Sequence, residues 1–214
     1  NTLDPKDLVD IKHKDCESTP VFRDTEHFFL KLSAFEKDLI NWASEKSHWK
    51  PNVRNFTLGF LEGGLIDRAI TRDIAWGIPI PLEGYDDKRI YVWFEAVIGY
   101  LSASKEWAQI NNKPDEWENW WLNPDAETFY FIGKDNVPFH AVIWPAELAG
   151  VGRVFPDDPA SSLNMPYDVP ANEFMNLEGQ KISGSRNWAV WGQDVVERYG
   201  PDPVRYYLTI NLSL

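Results

Sequence analysis

The sequence predicts an α/β protein: the second half of a doubly wound parallel sheet, with a small helical insertion on its N-terminal side. Three observations predict it. Ile90 to Phe94, rich in β-branched and aromatic residues, then Thr128 to Ile132, then the apolar segment Val169 to Phe174 alternate with helical patterns, the order that builds a parallel sheet. The turn Gly133-Lys134-Asp135-Asn136 follows the second run and places charges where open α/β sheets bind ligands. The third run delivers the chain to Lys181-Ile182-Ser183-Gly184-Ser185-Arg186, a loop of cations, hydroxyls and glycine. The expected division is residues 1–67 for the insertion, 68–188 for the half-sheet with its loop, and 189–214 for the start of a further helical region.

Composition narrows the class. A chain of 214 residues, 43% hydrophobic, can bury the core of one or two domains. Its formal net charge of −12 argues against a broad, sequence-blind nucleic-acid surface and leaves room for a local basic patch. Cys16 is the single cysteine, so neither an intrachain disulfide nor a cysteine-rich zinc site is expected, which fits the cytoplasm. No apolar run is long enough to span a membrane, and no signal peptide is evident. The chain opens at Asn1 and stops inside a helical pattern, so both ends read as cuts.

In chain order, the stretch to about residue 25 reads as irregular, and Thr25 to Leu30 as a strand in which His27 is structural. Ser33 to Ser47 reads as a helix, with Ser33 and Glu36 spaced as a capping box. A second helix follows Pro51 and ends at Gly63-Gly64. Arg68 to Pro81 is a shaped, Pro- and Gly-rich loop. Arg72 within it either pairs with Asp73 on the surface, which the residues favour, or serves as a phosphate or substrate cation. An acidic turn leads to Ile90–Phe94, expected as a buried parallel strand, and then to a helix ending near Ile110. Trp93, Ala96 and Tyr100 gather at that junction, where core packing and ligand contact are equal readings.

Pro114 to Asp125, with three tryptophans, reads as a capped helix. After Thr128–Ile132 and its turn, a helix from Pro138 to Leu148 projects His140 and Trp144 together. Lys134 and Asp135 lie near that helix's N–H donors. A proline-rich connection, Pro156 to Pro170, precedes the third strand, and helices are expected over Ala189–Tyr199 and from Asp202 to about Leu212. The lysine-serine loop, taken by itself, has the plainer reading of a solvated turn. Its residue types also suit a polyphosphate: lysine is a compact point charge, and Gly and Ser allow close backbone approach.

The loop resembles the lysine-methionine-serine-lysine-serine signature of class I aminoacyl-tRNA synthetases. Its flanks, L-E-G-Q and N-W-A-V-W, resemble methionyl-tRNA synthetase. So do A-I-T-R-D (69 to 73), Y-V-W-F-E-A-V-I-G-Y (91 to 100), F-I-G-K-D-N-V-P-F-H (131 to 140) and W-P-A-E-L-A-G (144 to 150), in that order. T-E-H-F-F-L and W-K-P-N-V-R-N-F-T-L resemble that family's connective insertion. The resemblance implies the carboxyl-side part of a Rossmann-like catalytic domain. It implies activation of methionine by ATP, with magnesium, to methionyl-adenylate, and transfer to tRNA. Trp93, Ala96, Tyr100, His140 and Trp144 would surround the methionine side chain, where aromatic edges and faces suit a polarizable sulfur. Gly133, Lys134 and Asp135 would contact ATP. Lys181 would hold the triphosphate, with Ser183, Ser185 and Arg72 completing the catalytic set.

Three departures accompany the resemblance. No H-x-G-H signature is present. Gly184 stands where the signature has its second lysine, and Val97 where the family has proline. The zinc-knuckle cysteines and the anticodon-binding region are missing from this stretch. The expectation is therefore a fragment with little or no activity alone, whose partners are methionine, ATP, tRNA through the full-length enzyme, and the missing N-terminal half. The alternative is a non-catalytic module, derived from a synthetase, that binds methionine or its adenylate.

Overall fold

The computed structural model describes residues 24–158 and 162–211, together with Lys12, Thr19 and Val21. The expectations for His13, Cys16 and the helix end at Leu212 fall outside the described residues.

Of the expected strand Thr25–Leu30, only β1 (Phe29–Leu30) forms, antiparallel to β2 (Arg68–Ala69). A 3-10 turn over Leu32–Phe35 leads into α1 (Glu36–Ser44). The expected capping box does not form. Ser33 donates from both its hydroxyl and its N–H to Asp67, at 2.7 and 3.1 Å, and Glu36 accepts the N–H of Leu65 at 2.7 Å. Both side chains stitch the start of α1 to the chain leaving the next helix, so a tertiary partner displaces the local one. That next helix, α2 (Pro51–Glu62), starts on its proline and stops at Gly63, with Gly64 at φ 90° turning the chain.

The expected strand Ile90–Phe94 is corrected. β3 (Thr71–Arg72) pairs antiparallel with β4 (Arg89–Ile90), and α3 (Val92–Glu95) begins two residues on. The Tyr91 carbonyl accepts the N–H groups of Phe94 and Glu95, at 2.8 and 3.3 Å, which turns an apolar run of high β propensity into helix. A 3-10 segment, Ala96–Ile98, continues into α4 (Gly99–Ile110). The helix expected over Pro114–Asp125 is a single turn, α5 (Glu118–Trp121).

β5 (Ile132–Gly133) runs parallel to β6 (Ala171–Asn172), extended by a parallel bridge between Phe129 and Asp168. Among the described strands this is the parallel pair; the other three pairs are antiparallel. From β5 the chain makes a 3-10 turn, Lys134–Asn136, and a π turn, Phe139–Ile143, before α6 (Trp144–Val154). The expected helix over Pro138–Leu148 is thus present, with a wider first turn and a longer end.

The lysine-serine loop is entered through a hairpin of β7 (Asn176–Leu177) and β8 (Gln180–Lys181), which ends on Lys181. Glu178 and Gly179, at φ 50° and 75°, form the two-residue turn whose twist suits a tight hairpin. The hairpin rests over α7 (Gly192–Tyr199) and α8 (Pro201–Ile210), around an apolar groove of about 480 Å³ that includes Leu177, Ile182, Val195 and Val204.

Two buried clusters hold the elements together. One joins Trp49 and Val53 to Val97, Trp121, Tyr130, Trp144 and Val169; the other joins Leu32, Leu39 and Leu61 to Val142 and Ala146. α6 with its π turn contributes to both, so its position is set from two sides.

Candidate functional site

The aromatic residues singled out in the sequence assemble around His140. The Asn136 carbonyl can only accept, so the His140 Nδ1–H donates to it at 3.0 Å. Nε2 then accepts the Tyr100 hydroxyl at 2.8 Å. Burial pushes the His140 pKa down, against the Asn136 carbonyl, which favours the charged form; the neutral ring is the form in which Nε2 accepts from Tyr100. Behind it, the Tyr130 ring meets Tyr100 edge-on with centroids 5.1 Å apart, and its hydroxyl accepts the Trp144 indole N–H at 3.0 Å. Trp144 is 2% exposed and packs edge-on against Trp121, so it supports Tyr130 from within the core. Tyr100 is 42% exposed and forms one wall of a cleft of about 390 Å³ beside Tyr130 and Trp120. Burial raises the pKa of both tyrosines, so they stay neutral hydrogen-bonding groups.

The cationic residues assemble at the carboxyl ends of the parallel strands. Lys134 follows β5 directly, and Glu173 and Phe174 follow β6. Lys134 forms an ion pair with Glu173 and lies 4.8 Å from the Phe174 ring centroid. The Lys181 ammonium, arriving from β8, lies 5.2 Å from the same ring. Lys134, Asp135, Glu173 and Phe174 line a cleft of about 360 Å³ against Asn52 and Phe56 of α2. Gly133 is needed for closeness: a Cβ there would stand 2.9 Å from the Asp135 carboxylate. The turn Lys134–Asn136 joins the two assemblies, since Asn136 holds His140.

Other expected site residues stand apart. The Arg72 guanidinium lies 3.8 Å from the Tyr91 ring centroid, and its Nη1 donates to the carbonyls of Ala69 and Thr71, so it is tied to its own stretch of chain. The surface pair expected between Arg72 and Asp73 is corrected: Asp73 takes Lys88 at 2.7 Å, and this bond, with the Thr25 hydroxyl, holds its carboxyl at about 2. Trp93 is half-exposed on α3 and tilts against Phe139 at 5.6 Å, next to His140; Ala96 is exposed in the 3-10 segment. Ser183 pairs its backbone with Trp188 at 2.9 and 3.0 Å, and Asn187, at φ 52°, closes that loop. Ser185 lies in the Gly184–Arg186 turn; its side chain is outside the described residues.

Sequence reasoning missed Tyr130, Glu173 and Phe174. The alternation of Phe129 and Phe131 outward with Tyr130 inward was the available signal for the first. For the other two, only their place after a strand could have pointed to them. No group of three or more His, Cys, Asp or Glu side chains among the described residues could hold a metal. No described helix is long and apolar enough to cross a membrane.

Comparison with known proteins identifies the family. The family described as tRNA synthetases class I (M) matches residues 1–214. A methionine–tRNA ligase of Dehalococcoides mccartyi is 56% identical over 98% of this chain and 36% of its own length. That of Thermomicrobium roseum is 53% identical over 97% of this chain and 34% of its length. The chain therefore spans about a third of the length of the curated relatives it matches. A structure of Mycobacterium tuberculosis methionyl-tRNA synthetase bound by methionyl-adenylate is similar with a TM-score of 0.68 at 26% identity, covering 92% of this chain and 35% of that one.

Proposed function

We propose a function from one premise: this chain belongs to the class I tRNA synthetases (M), the methionyl-tRNA synthetases. It carries the aromatic wall of the methionine site and the cationic end of the ATP site of a methionine–tRNA ligase. The observation that carries this reading is the meeting of Lys134 and Lys181 at Phe174, at the carboxyl ends of the parallel pair. The finer fold assignment, half of a doubly wound sheet divided at residues 67 and 188, belongs to the same proposal and is supported by that pair.

The reaction is in-line attack of the methionine carboxylate on the α-phosphate of ATP, with pyrophosphate leaving and methionyl-adenylate formed. The enzyme's contribution is alignment and charge. Lys181 and Lys134 offset the charge that grows on the leaving pyrophosphate. Ser183, Ser185 and the hairpin order the loop that brings Lys181. Gly133 and Asp135 sit beside the nucleotide, and Arg72 reaches it only by leaving Tyr91. Tyr100, Trp93 and the neutral His140 face the thioether, Ala96 leaves it room, and Trp144 acts through Tyr130. Magnesium enters with ATP. Transfer to tRNA, in the cytoplasm, is proposed for an enzyme in which this region is about a third of the length, as in the relatives.

The test places this chain in the D. mccartyi ligase in exchange for its matching segment and measures methionine-dependent ATP–pyrophosphate exchange. Exchange that Lys181→Ala abolishes is expected. A folded chimera that exchanges without regard to methionine or to Lys181 overturns the reading. Methionine binding without exchange would favour the non-catalytic module, for which Gly184 speaks.

A further inference from the structure

Glu173 and Phe174 line the cationic cleft but have no part in the reaction described above, yet they hold the two lysines on which the ATP site depends. The Phe174 ring is 45% exposed and presents π density to Lys134 and Lys181, at 4.8 and 5.2 Å from its centroid. Two ammonium groups drawn to one ring repel each other, and a ring quadrupole offsets part of that repulsion. The Glu173 carboxylate neutralises Lys134 directly. Hydrogen bonding to Lys134 first, and to Asn52 as well, holds its pKa below the usual carboxylate range, so it is ionised. The other carboxylate of the cleft, Asp135, lies against Gly133 and Asn136.

We propose that Glu173 is an internal stand-in for the polyphosphate: it occupies Lys134 in the empty site and yields it when a polyphosphate arrives, while Phe174 keeps Lys134 and Lys181 beside each other. This rests on the ATP site proposed above. The exchange is easy because both partners are partly exposed, with 42% and 37% of their side chains open to solvent, and exposed ion pairs are weak. A polyphosphate carries several charges that can engage both lysines, whereas Glu173 carries one and engages Lys134. The carboxylate left behind repels the bound anion, so Glu173 sets an upper limit on affinity and favours release of pyrophosphate. It is a positioning residue.

The experiment titrates inorganic pyrophosphate into this chain by calorimetry. It compares the parent with Glu173→Gln, Glu173→Asp, Phe174→Leu, Lys134→Ala and Lys181→Ala. Glu173→Gln is expected to bind about three- to tenfold tighter, the scale of removing one nearby like charge at a wet surface. Glu173→Asp is expected to stay near the parent, and Phe174→Leu to bind several-fold weaker. A merely structural Glu173 would not tighten binding when neutralised. Binding that the lysine variants abolish but Glu173→Gln leaves unchanged or weakens overturns this inference and spares the ATP site. Pyrophosphate binding that the lysine variants do not alter, or no binding in any variant, overturns both.

Discussion

Replacing Glu147 by methionine should make the protein more stable at pH 8 and less sensitive to pH. Glu147 stands in the first turn of α6, and both of its carboxyl oxygens are buried with no hydrogen-bond partner among the described residues. Burial pushes its pKa from 4.5 up to about 8. Below pH 4.5 the folded and unfolded chains both hold the proton, and the contribution to stability is fully present. Between 4.5 and about 8 the unfolded chain gives up its proton while the folded chain keeps it, so stability falls as pH rises, and the loss is complete above 8. Each pH unit in that window costs about 1.4 kcal/mol. The ceiling is therefore ~5 kcal/mol, and relaxation around a residue that is not fully enclosed brings the expected loss to ~2–4 kcal/mol. Glu147→Met removes the titration and fills similar volume with apolar atoms. Urea unfolding followed by tryptophan fluorescence at pH 5, 6.5 and 8 measures it. The stability difference, variant minus parent, should widen steadily across the series, since His140 and the other titrating groups are common to both. Parallel curves, with the variant weaker throughout, would show that Glu147 has a partner in the folded protein and would refute the reasoning.

Tyr100→Phe removes the oxygen that a charged His140 Nε2–H could donate to and leaves only apolar ring beside it, so the His140 midpoint, already lowered by burial, should fall further in an NMR pH titration. The same change should cost about 1 kcal/mol of stability. Gly133→Ala forces a methyl against the Asp135 carboxylate at 2.9 Å, and a loss of ~1 kcal/mol is expected by urea unfolding. Gly184→Lys should leave stability within about 0.5 kcal/mol, because the backbone there is not left-handed and a Cβ meets only the Trp191 ring at 3.4 Å. The restored cation should tighten pyrophosphate binding several-fold by calorimetry.

The expected and observed elements part where a distant partner intervenes. α2 follows from its apolar spacing and Pro51, and the helical run from the π turn into α6 from Pro138 at its start, signals that lie within or directly before each helix. The capping box at Ser33 failed because Asp67, 34 residues away, offered a better acceptor. The run Ile90–Phe94 became helix after Ile90 because the Tyr91 carbonyl found local donors instead of a neighbouring strand. The hairpin that leads to Lys181 is not announced by its residues, since Glu-Gly is a weaker turn signal than Asn-Gly.

The sequence alone carries the family, the α/β class and the residue types proposed for the site: aromatics at 93 to 144, cations after the strands and in the loop. Those follow from residue identity and short-range order, which a sequence states directly. Only the tertiary structure decided that burial keeps His140 neutral where Asn136 and Tyr100 meet it, that Trp144 supports Tyr130 from the core, and that Lys134 and Lys181 share Phe174. The decisive pairs are far apart along the chain, with 40 positions between Tyr100 and His140 and 39 between Lys134 and Glu173. Which of many possible long-range partners a side chain takes depends on the packing of whole elements, and no local pattern encodes it.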